Sequence, residues 1–448
     1  MKIFSEKLRT VISLFLAVLS VISLTLPAFA DENSENGDDI LTVERCEAAY
    51  LYNFENDEVL FEYNPSAEVN PASTAKLMTA IVVFDEYEGA LDTKITVTEQ
   101  MLNEVSGNKI GFSVGETVTV RQMLNCMLVN SANDAAIILA QATAGDTKSF
   151  VRMMNEKAAW LGAYNTYYTN PTGMYDAAMV TTARDTGTIA KYAYSIDGFT
   201  EITSTPKYVM DATNMSDYRS IYNRNGLISR YYVTDYFYNR AVGLNAGATS
   251  QGSYSLCAIA EDNEQGLSYL AVVLGAEEDE ETGELYSYKN GIDMFDWAFR
   301  SYGMRTVLSS SRAICELPVN LSATLDYVTL VPAEDITVFL PMSVDLTKEV
   351  RYSYNTYYDS IDAPVEAGDE EGTITVLYGD KILGSCPLIA TSSITRSEFL
   401  NFLSKVKDFT KGRFFRATII SVIVLSVGYI LINAALREKK LRRLSGRR

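Results

Sequence analysis

The segment at residues 71–84 constrains the fold of this chain more than any other stretch of its sequence. It begins Pro-Ala-Ser-Thr-Ala-Lys, and residues 77–84 are apolar except for Thr79. A helix with this pattern has no wide polar face, so it must lie inside a domain with other elements packed around it. Ser73 and Lys76 are three residues apart and therefore project from one face near the start of that helix.

A hydroxyl beside an amine in such a helix predicts an activated serine. Burial lowers the pKa of a lysine, and the neutral amine can then take the proton of the serine. The Ser-x-x-Lys pattern is weak by itself, because it also occurs at Ser106, Ser204 and Ser404. Only the surrounding sequence singles out Ser73 as the candidate nucleophile and Lys76 as its base.

The composition narrows the chemistry further. The 448 residues contain no histidine, which excludes Ser-His-Asp catalysis and any zinc site that needs imidazole. We therefore expect no metal and no cofactor, and a serine hydrolase built from this chain must use lysine or a carboxylate as its base. The net charge of −19 argues against nucleic acid as a partner.

Both ends of the chain carry membrane-related signals. Residues 1–30 combine a basic start, an apolar stretch and Ala28-Phe29-Ala30, which predicts a cleaved signal peptide; a retained N-terminal anchor is the alternative. Residues 31–42 read as a linker. Residues 417–436 are uncharged, which predicts a membrane span at 416–437. The basic tail at 438–448 then lies in the cytoplasm and residues 31–415 lie outside the cell.

Two folded regions are predicted between these ends. Residues 43–305 begin with a β-hairpin, continue as helices that include one at 118–129 and another at 134–144, and end with apolar strands and a helix at 292–302. This order predicts an α+β domain whose sheet is built from both ends of the region. Residues 306–400 contain only short strands and predict a small all-β domain. An amphipathic stalk at 401–415 then leads into the span.

Two further motifs accompany the Ser73 helix. Ser131-Ala132-Asn133 lies at a break between two helices, where its side chains can enter a cleft; an ordinary helix cap is the alternative interpretation. Asn245-Ala246-Gly247 lies on a strand, and its glycine allows another backbone to approach closely. Their order along the chain is that of Ser-x-x-Lys, Ser-x-Asn and Lys-Thr-Gly in penicillin-interacting serine enzymes.

The chain resembles the D-alanyl-D-alanine carboxypeptidases, or low-molecular-weight penicillin-binding proteins, over residues of about 43–400. The segments that carry the resemblance are 71–79, 131–135, 170–173, 181–185 and 271–275. It implies a β-lactamase/transpeptidase-like domain, with a sheet flanked by helices, followed by the all-β domain. It also implies that the partners are the peptidoglycan stem peptide, β-lactams as covalent inhibitors, and the cytoplasmic membrane.

The resemblance also implies roles for individual residues. Ser73 would be acylated, Lys76 would be its base, and Ser131 would relay the proton to the leaving D-alanine. Asn133 would hold the substrate backbone, and the N–H groups of Ser73 and Ala248 would form the oxyanion hole. Asn245, Gly247 and Ala248 are the substrate-binding residues expected on the strand.

The third motif departs from the family pattern. Asn245 brings no charge where the family has a lysine, and Ala246 brings no hydroxyl where it has a threonine. Three functions follow: a weakened or altered serine carboxypeptidase, a pseudoenzyme that binds peptidoglycan or a cell-wall partner, and an endopeptidase whose substrate lacks a terminal carboxylate.

Overall fold

The computed structural model describes residues 40–445. The predicted signal peptide at 1–30, and most of the predicted linker at 31–42, lie outside the described residues.

One antiparallel sheet organises the first region. Its strands are β1 (Ala48–Asn53), β2 (Glu58–Tyr63), β7 (Ala241–Ala248), β8 (Tyr254–Asp262) and β9 (Leu267–Ala276). Their spatial order is β2-β1-β9-β8-β7, so the first strand pairs with the last, over six residues. All of β1 is buried, because alternate residues face a hydrophobic core on each side of the sheet.

Helices fill the chain between β2 and β7, and one more follows β9. They are α1 (Ala75–Glu86), α2 (Glu99–Asn103), α3 (Val120–Asn130), α4 (Asn133–Ala144), α5 (Thr147–Leu161), α6 (Ala183–Tyr194), α7 (Phe199–Thr203) and α8 (Tyr286–Ser301). Two small hairpins pair β3 (Lys94–Thr96) with β4 (Thr117–Thr119), and β5 (Lys207–Met210) with β6 (Arg219–Tyr222). Every α1 residue from Ala75 to Phe84 is buried, as its apolar sequence requires.

The second region is all β. It comprises β10 (Tyr302–Leu308), β11 (Cys315–Asn320), β12 (Tyr327–Pro332), β13 (Ile336–Pro341), β14 (Val350–Thr356), β15 (Ile361–Asp362), β16 (Glu370–Tyr378) and β17 (Lys381–Ala390). Six of these form a sheet in the order β14-β16-β17-β12-β11-β15, while β10 pairs with β13. The region has its own core, in which Leu330, Ile374 and Leu388 are completely buried.

Two helices end the chain, α9 (Glu398–Lys411) and α10 (Arg413–Ser445). No residue of α9 is buried, although it carries several large apolar side chains. Residues 413–439 of α10 have a mean hydropathy of 2.4 over their most apolar window, and none of that window is buried. By length and composition, α10 is a candidate membrane anchor.

The predicted fold class is confirmed: an α+β domain, a smaller all-β domain and a long apolar C-terminal helix. Two helix starts were wrong. The helix predicted at 118–129 begins at Val120, because Thr119 and Gln122 form a capping box and Val118 belongs to β4. The helix predicted at 292–302 begins at Tyr286 and ends at Ser301. The exact domain limits stay predictions.

Candidate active site

Ser73 and Lys76 lie where α1 begins. Ser73 belongs to a 3-10 turn, Ala72–Thr74, that leads directly into α1, and Lys76 lies in the first turn of that helix. Ser73 is half-buried, whereas the Lys76 side chain is only 1% exposed. Both side chains line one cleft of about 310 Å³. The structure thus brings these two residues, which the sequence analysis had selected, together in one cleft.

The environment of Lys76 favours its neutral form. Burial, followed by the nearby positive charge of Arg224, lowers the pKa of Lys76 to about 7. Among the described residues, its Nζ has one hydrogen-bond partner, the carbonyl oxygen of Thr172 at 2.5 Å, and it makes no hydrogen bond to Ser73. A neutral amine that donates to Thr172 keeps a lone pair with which it can accept a proton.

The turn that carries Thr172 is itself fixed by Asn170. The Asn170 Oδ1 accepts hydrogen bonds from the backbone N–H groups of Thr172 and Gly173 and from the Thr172 hydroxyl. Gly173 has a φ of +74°, and a Cβ there would lie 1.9 Å from the Ala72 carbonyl oxygen. This turn therefore holds both the partner of Lys76 and the backbone just before Ser73. Sequence analysis recorded it as a segment of resemblance and missed its contact with Lys76.

Ser131 completes a pair of hydroxyls. It ends α3 in the left-handed conformation, with φ of +56°, and its Oγ lies 3.2 Å from the Ser73 Oγ. Asn108 holds this strained position, because its Nδ2 donates to the carbonyl oxygens of Asn130 and Ser131. The helix break predicted from the sequence thus does bring Ser131 to Ser73.

Asn133 lines the same cleft from the first turn of α4. Its Nδ2 donates to the Ser106 carbonyl oxygen at 2.8 Å, and the residue is 5% exposed. Asn133 is therefore fixed against the loop between α2 and β4 while it lines the cleft.

The end of β7 forms the opposite wall of the cleft. Of the predicted substrate-binding residues on this strand, some line the cleft and one does not. Ala246, Gly247 and Ala248 line the cleft. Asn245 is 2% exposed, is not among the lining residues, and its Oδ1 has no hydrogen-bond partner among the described residues. The direct substrate contact predicted for Asn245 is therefore not supported by its position.

Arg224 is a cleft residue that sequence analysis missed. Of the described residues that line the cleft, only Lys76 and Arg224 are charged. The Arg224 guanidinium donates to Asn108 Oδ1 at 3.1 Å and lies 4.7 Å from the ring centre of Tyr232. The sequence feature that could have revealed Arg224 is a single cation in the turn Asn223-Arg224-Asn225, next to a strand.

The described residues contain no group of three or more histidine, cysteine, aspartate or glutamate side chains placed to hold a metal ion. The polar groups of the cleft are hydroxyls, amides, one amine and one guanidinium. This set suits acyl transfer, in which a hydroxyl attacks a carbonyl group.

An antiparallel sheet flanked by helices, with a serine and a buried lysine where one helix begins, is characteristic of penicillin-interacting serine enzymes. Within that class, the chain belongs to the D-alanyl-D-alanine carboxypeptidase family, whose sequence profile matches residues 39–278. A second profile, that of the penicillin-binding protein 5 C-terminal domain, matches residues 302–396.

Individual relatives agree with this assignment. D-alanyl-D-alanine carboxypeptidase DacF of Bacillus subtilis strain 168 is 25% identical over 412 residues, which cover 90% of this chain and 100% of that protein. The carboxypeptidase DacB2 of Mycobacterium tuberculosis is 31% identical over 232 residues, which cover 51% of this chain and 74% of DacB2. Penicillin binding protein 5 from Haemophilus influenzae shares the fold, with a TM-score of 0.54 and 22% identity over 80% of this chain and 100% of that one.

Proposed function

We propose that this protein is a serine-type D-Ala-D-Ala carboxypeptidase that trims peptidoglycan stem peptides through an acyl-enzyme on Ser73. The observation that carries the proposal is the contact of 3.2 Å between the Ser73 and Ser131 hydroxyls, in a cleft that also contains the buried Lys76. Family membership gives the reaction class, and the cleft supplies groups suited to each step.

Acylation begins with neutral Lys76, which takes the Ser73 proton as the Ser73 Oγ attacks the carbonyl carbon of the penultimate D-alanine. The negative charge that develops on the carbonyl oxygen is stabilised by the backbone N–H groups of Ser73 and Ala248. Ser131 then passes its proton to the departing D-alanine amine and receives one from protonated Lys76, so the C–N bond breaks and Lys76 becomes neutral again. Water next attacks the ester, which frees the shortened peptide and restores the Ser73 hydroxyl. A β-lactam enters by the same attack and remains as a covalent adduct.

Recognition of the terminal carboxylate is the altered step. Ala246 has no polar group, and Asn245 is buried outside the cleft lining. Arg224 remains as a cation in the lining, and we assign it the carboxylate together with the Thr249 and Ser250 hydroxyls. Losing one charge-assisted contact costs about 1.5–3 kcal/mol, which corresponds to a roughly 10- to 100-fold slower reaction.

Fluorescent penicillin tests this proposal with the full-length protein in detergent. We expect a covalent label that is lost in Ser73→Ala and kept in Ser204→Ala, which changes a Ser-x-x-Lys serine outside the cleft lining. Release of D-alanine from a pentapeptide is then measured on the same preparations. Label together with D-alanine release supports the carboxypeptidase, whereas no label at high dose contradicts it and leaves the pseudoenzyme.

The endopeptidase is the second candidate, because Ala246 provides nothing polar for a terminal carboxylate. Its substrate would be a cross-linked stem peptide. Label that is accompanied by cleavage of a cross-linked dimer, without D-alanine release from the pentapeptide, would select this candidate.

We further propose that α10 anchors the protein in the cytoplasmic membrane, with the basic tail in the cytoplasm and the cleft outside the cell. The support is the uncharged stretch at residues 417–436, which lies within the candidate span and is followed by a run of lysines and arginines. Protease added to intact spheroplasts should digest the catalytic region and spare an epitope tag placed after Arg448. Loss of the tag instead would contradict this orientation.

A further inference from the structure

The loop at residues 223–240, between β6 and β7, is unusually rich in aromatic side chains, and it forms one side of the cleft. It carries five rings: Tyr231, Tyr232, Tyr236, Phe237 and Tyr238. Two of them fasten the loop to α8. Tyr236 stacks on Tyr288 with ring centres 5.0 Å apart, and the Tyr238 hydroxyl donates to Asp296 at 2.8 Å. The loop is therefore a packed part of the domain.

The remaining rings face solvent. Tyr231 is 58% exposed, Tyr232 is 46% exposed and Phe237 is 43% exposed. Tyr231 stacks on Tyr222 of β6, with ring centres 3.6 Å apart and planes 8° apart, and Tyr232 meets Tyr231 edge to face at 5.0 Å. We call Tyr222, Tyr231 and Tyr232 the aromatic platform. Its rings hold one another in place, so a ligand that binds there orders few side chains.

The platform is continuous with the candidate active site. The Tyr232 hydroxyl accepts a hydrogen bond from Asn130 Nδ2 at 3.2 Å, and Asn130 directly precedes Ser131. Arg224 lies over the Tyr232 ring, and both Arg224 and Val233 line the cleft. A ligand that extends out of the cleft along this side therefore meets the platform next.

We propose that the aromatic platform binds the amino sugars of the glycan strand to which the stem peptide is attached. This proposal rests on the proposed function, because it takes the cleft as the site of the peptide. One face of a pyranose ring presents C–H groups that pack against aromatic rings, while its hydroxyl and acetamido groups form hydrogen bonds with tyrosine hydroxyls and arginine. Tyrosine combines both kinds of contact in one side chain.

The small amount of positive charge near the platform favours sugars over nucleic-acid bases, which also stack on aromatic rings. Bases of single-stranded nucleic acid also stack on tyrosines, but such sites need a positively charged groove along the backbone. The platform has Arg224 over Tyr232 and Lys207 over Tyr222, and Arg230 lies over the neighbouring Phe237. Three single cations, each over a different ring, on a chain of net charge −19 do not form such a groove, whereas uncharged sugar rings do not require one.

Equilibrium binding to full-length Ser73→Ala protein in detergent tests the proposal, because this variant cannot be acylated there. The two probes are a free stem pentapeptide and the same pentapeptide on its disaccharide. We expect the disaccharide form to bind about tenfold more tightly, which corresponds to about 1.4 kcal/mol, because its sugar rings gain contact with the platform. Adding Tyr231→Ser should abolish this difference, and Tyr231→Phe should keep it. Tyr164→Ala, at a tyrosine that is 79% exposed and outside the cleft lining, is the matched control and should also keep it.

A peptide-free probe makes failure of this inference distinguishable from failure of the proposed function. Saturation-transfer NMR with the hexamer of N-acetylglucosamine should show contact with wild-type protein and lose it in Tyr231→Ser. Sugar contact without penicillin labelling would keep the platform and remove the carboxypeptidase. Labelling with equal affinities for the two pentapeptide probes, or an affinity difference that survives Tyr231→Ser, would overturn the platform.

Discussion

Gly247 of β7 lies against Ser73 so closely that a Cβ on Gly247 would be 2.4 Å from the Ser73 Cβ and 2.5 Å from its Oγ. No side chain fits in this gap without moving the candidate nucleophile. The strand edge and the start of α1 are thus fitted to each other, and a glycine is required there for close approach.

Replacing Gly247 by alanine should slow acylation of Ser73 by penicillin. The added methyl group must displace the Ser73 side chain or β7, and such overpacking costs about 1–3 kcal/mol, or a roughly 5- to 150-fold slower rate. Stopped-flow labelling with a fluorescent penicillin measures the effect. Gly303→Ala is the control, because a Cβ there meets only the flexible Met342 side chain at 3.2 Å. Labelling of Gly247→Ala at the wild-type rate would show that the contact does not restrict Ser73.

Removing the Arg224 charge should shift the pH profile of acylation to higher pH. Lys76 acts as a base only when neutral, so the rate should rise with pH around its pKa of about 7. Arg224 contributes to that low pKa, so Arg224→Gln should raise the pKa of Lys76 and slow the reaction at pH 7. Arg224→Lys keeps the charge and should keep the profile. Arg121 forms an exposed surface ion pair, so Arg121→Gln is the control. If this variant shows the same shift of the pH profile, the effect is not specific to Arg224.

Restoring the family residues in the third motif should increase activity. Asn245→Lys with Ala246→Thr adds a cation beside the cleft and a hydroxyl within it, and we expect a roughly 10- to 100-fold gain in penicillin acylation. The comparison is with Ala246→Thr alone, which separates the hydroxyl from the charge. If the double variant reacts no faster than wild type, the substitutions found in this motif do not limit the site.

Lys76 should also make stability depend on pH. The pKa of Lys76 is about 7 in the folded protein and returns to the ordinary lysine value of 10.5 in the unfolded protein, so the unfolded state binds more protons between these values. The free energy of unfolding should therefore rise with pH in this window, by about 1.4 kcal/mol per pH unit from this group, and fall back as the pH drops towards 7.

Denaturant unfolding of wild type and Lys76→Met between pH 7 and 9 measures this contribution. The methionine variant should lack the rise, and Lys94→Met, at an exposed position of β3, should retain it. Identical slopes for wild type and Lys76→Met would mean that Lys76 stays protonated in the folded protein.

Most of the candidate-site residues that the sequence predicted lie within a few positions of one another in the chain. Ser73 and Lys76 share a helix start, and Ser131 and Asn133 flank a helix break, so local geometry alone directs each pair towards a cleft. Arg224 and the Thr172 carbonyl reach Lys76 from distant parts of the chain through the fold of the domain. Every residue has a backbone carbonyl, so the residue type at position 172 does not reveal the hydrogen bond to Lys76. A single arginine in a turn is most often a surface charge, so Arg224 did not stand out. The burial of Asn245 also depends on how β7 packs, which the order of motifs does not specify.

The pairing of β1 with β9 has a consequence for biosynthesis. About 200 residues separate these strands, and a ribosome that adds roughly 5–20 residues per second needs about 10–40 s to make them. Throughout that interval the hydrophobic β1 has no β9 to pair with, and Ser73 has no β7 beside it until residues 241–248 have been made. The nascent polypeptide therefore has an inactive serine and an exposed, aggregation-prone first strand. A chaperone that shields this strand would act before Ser73 can react with penicillin.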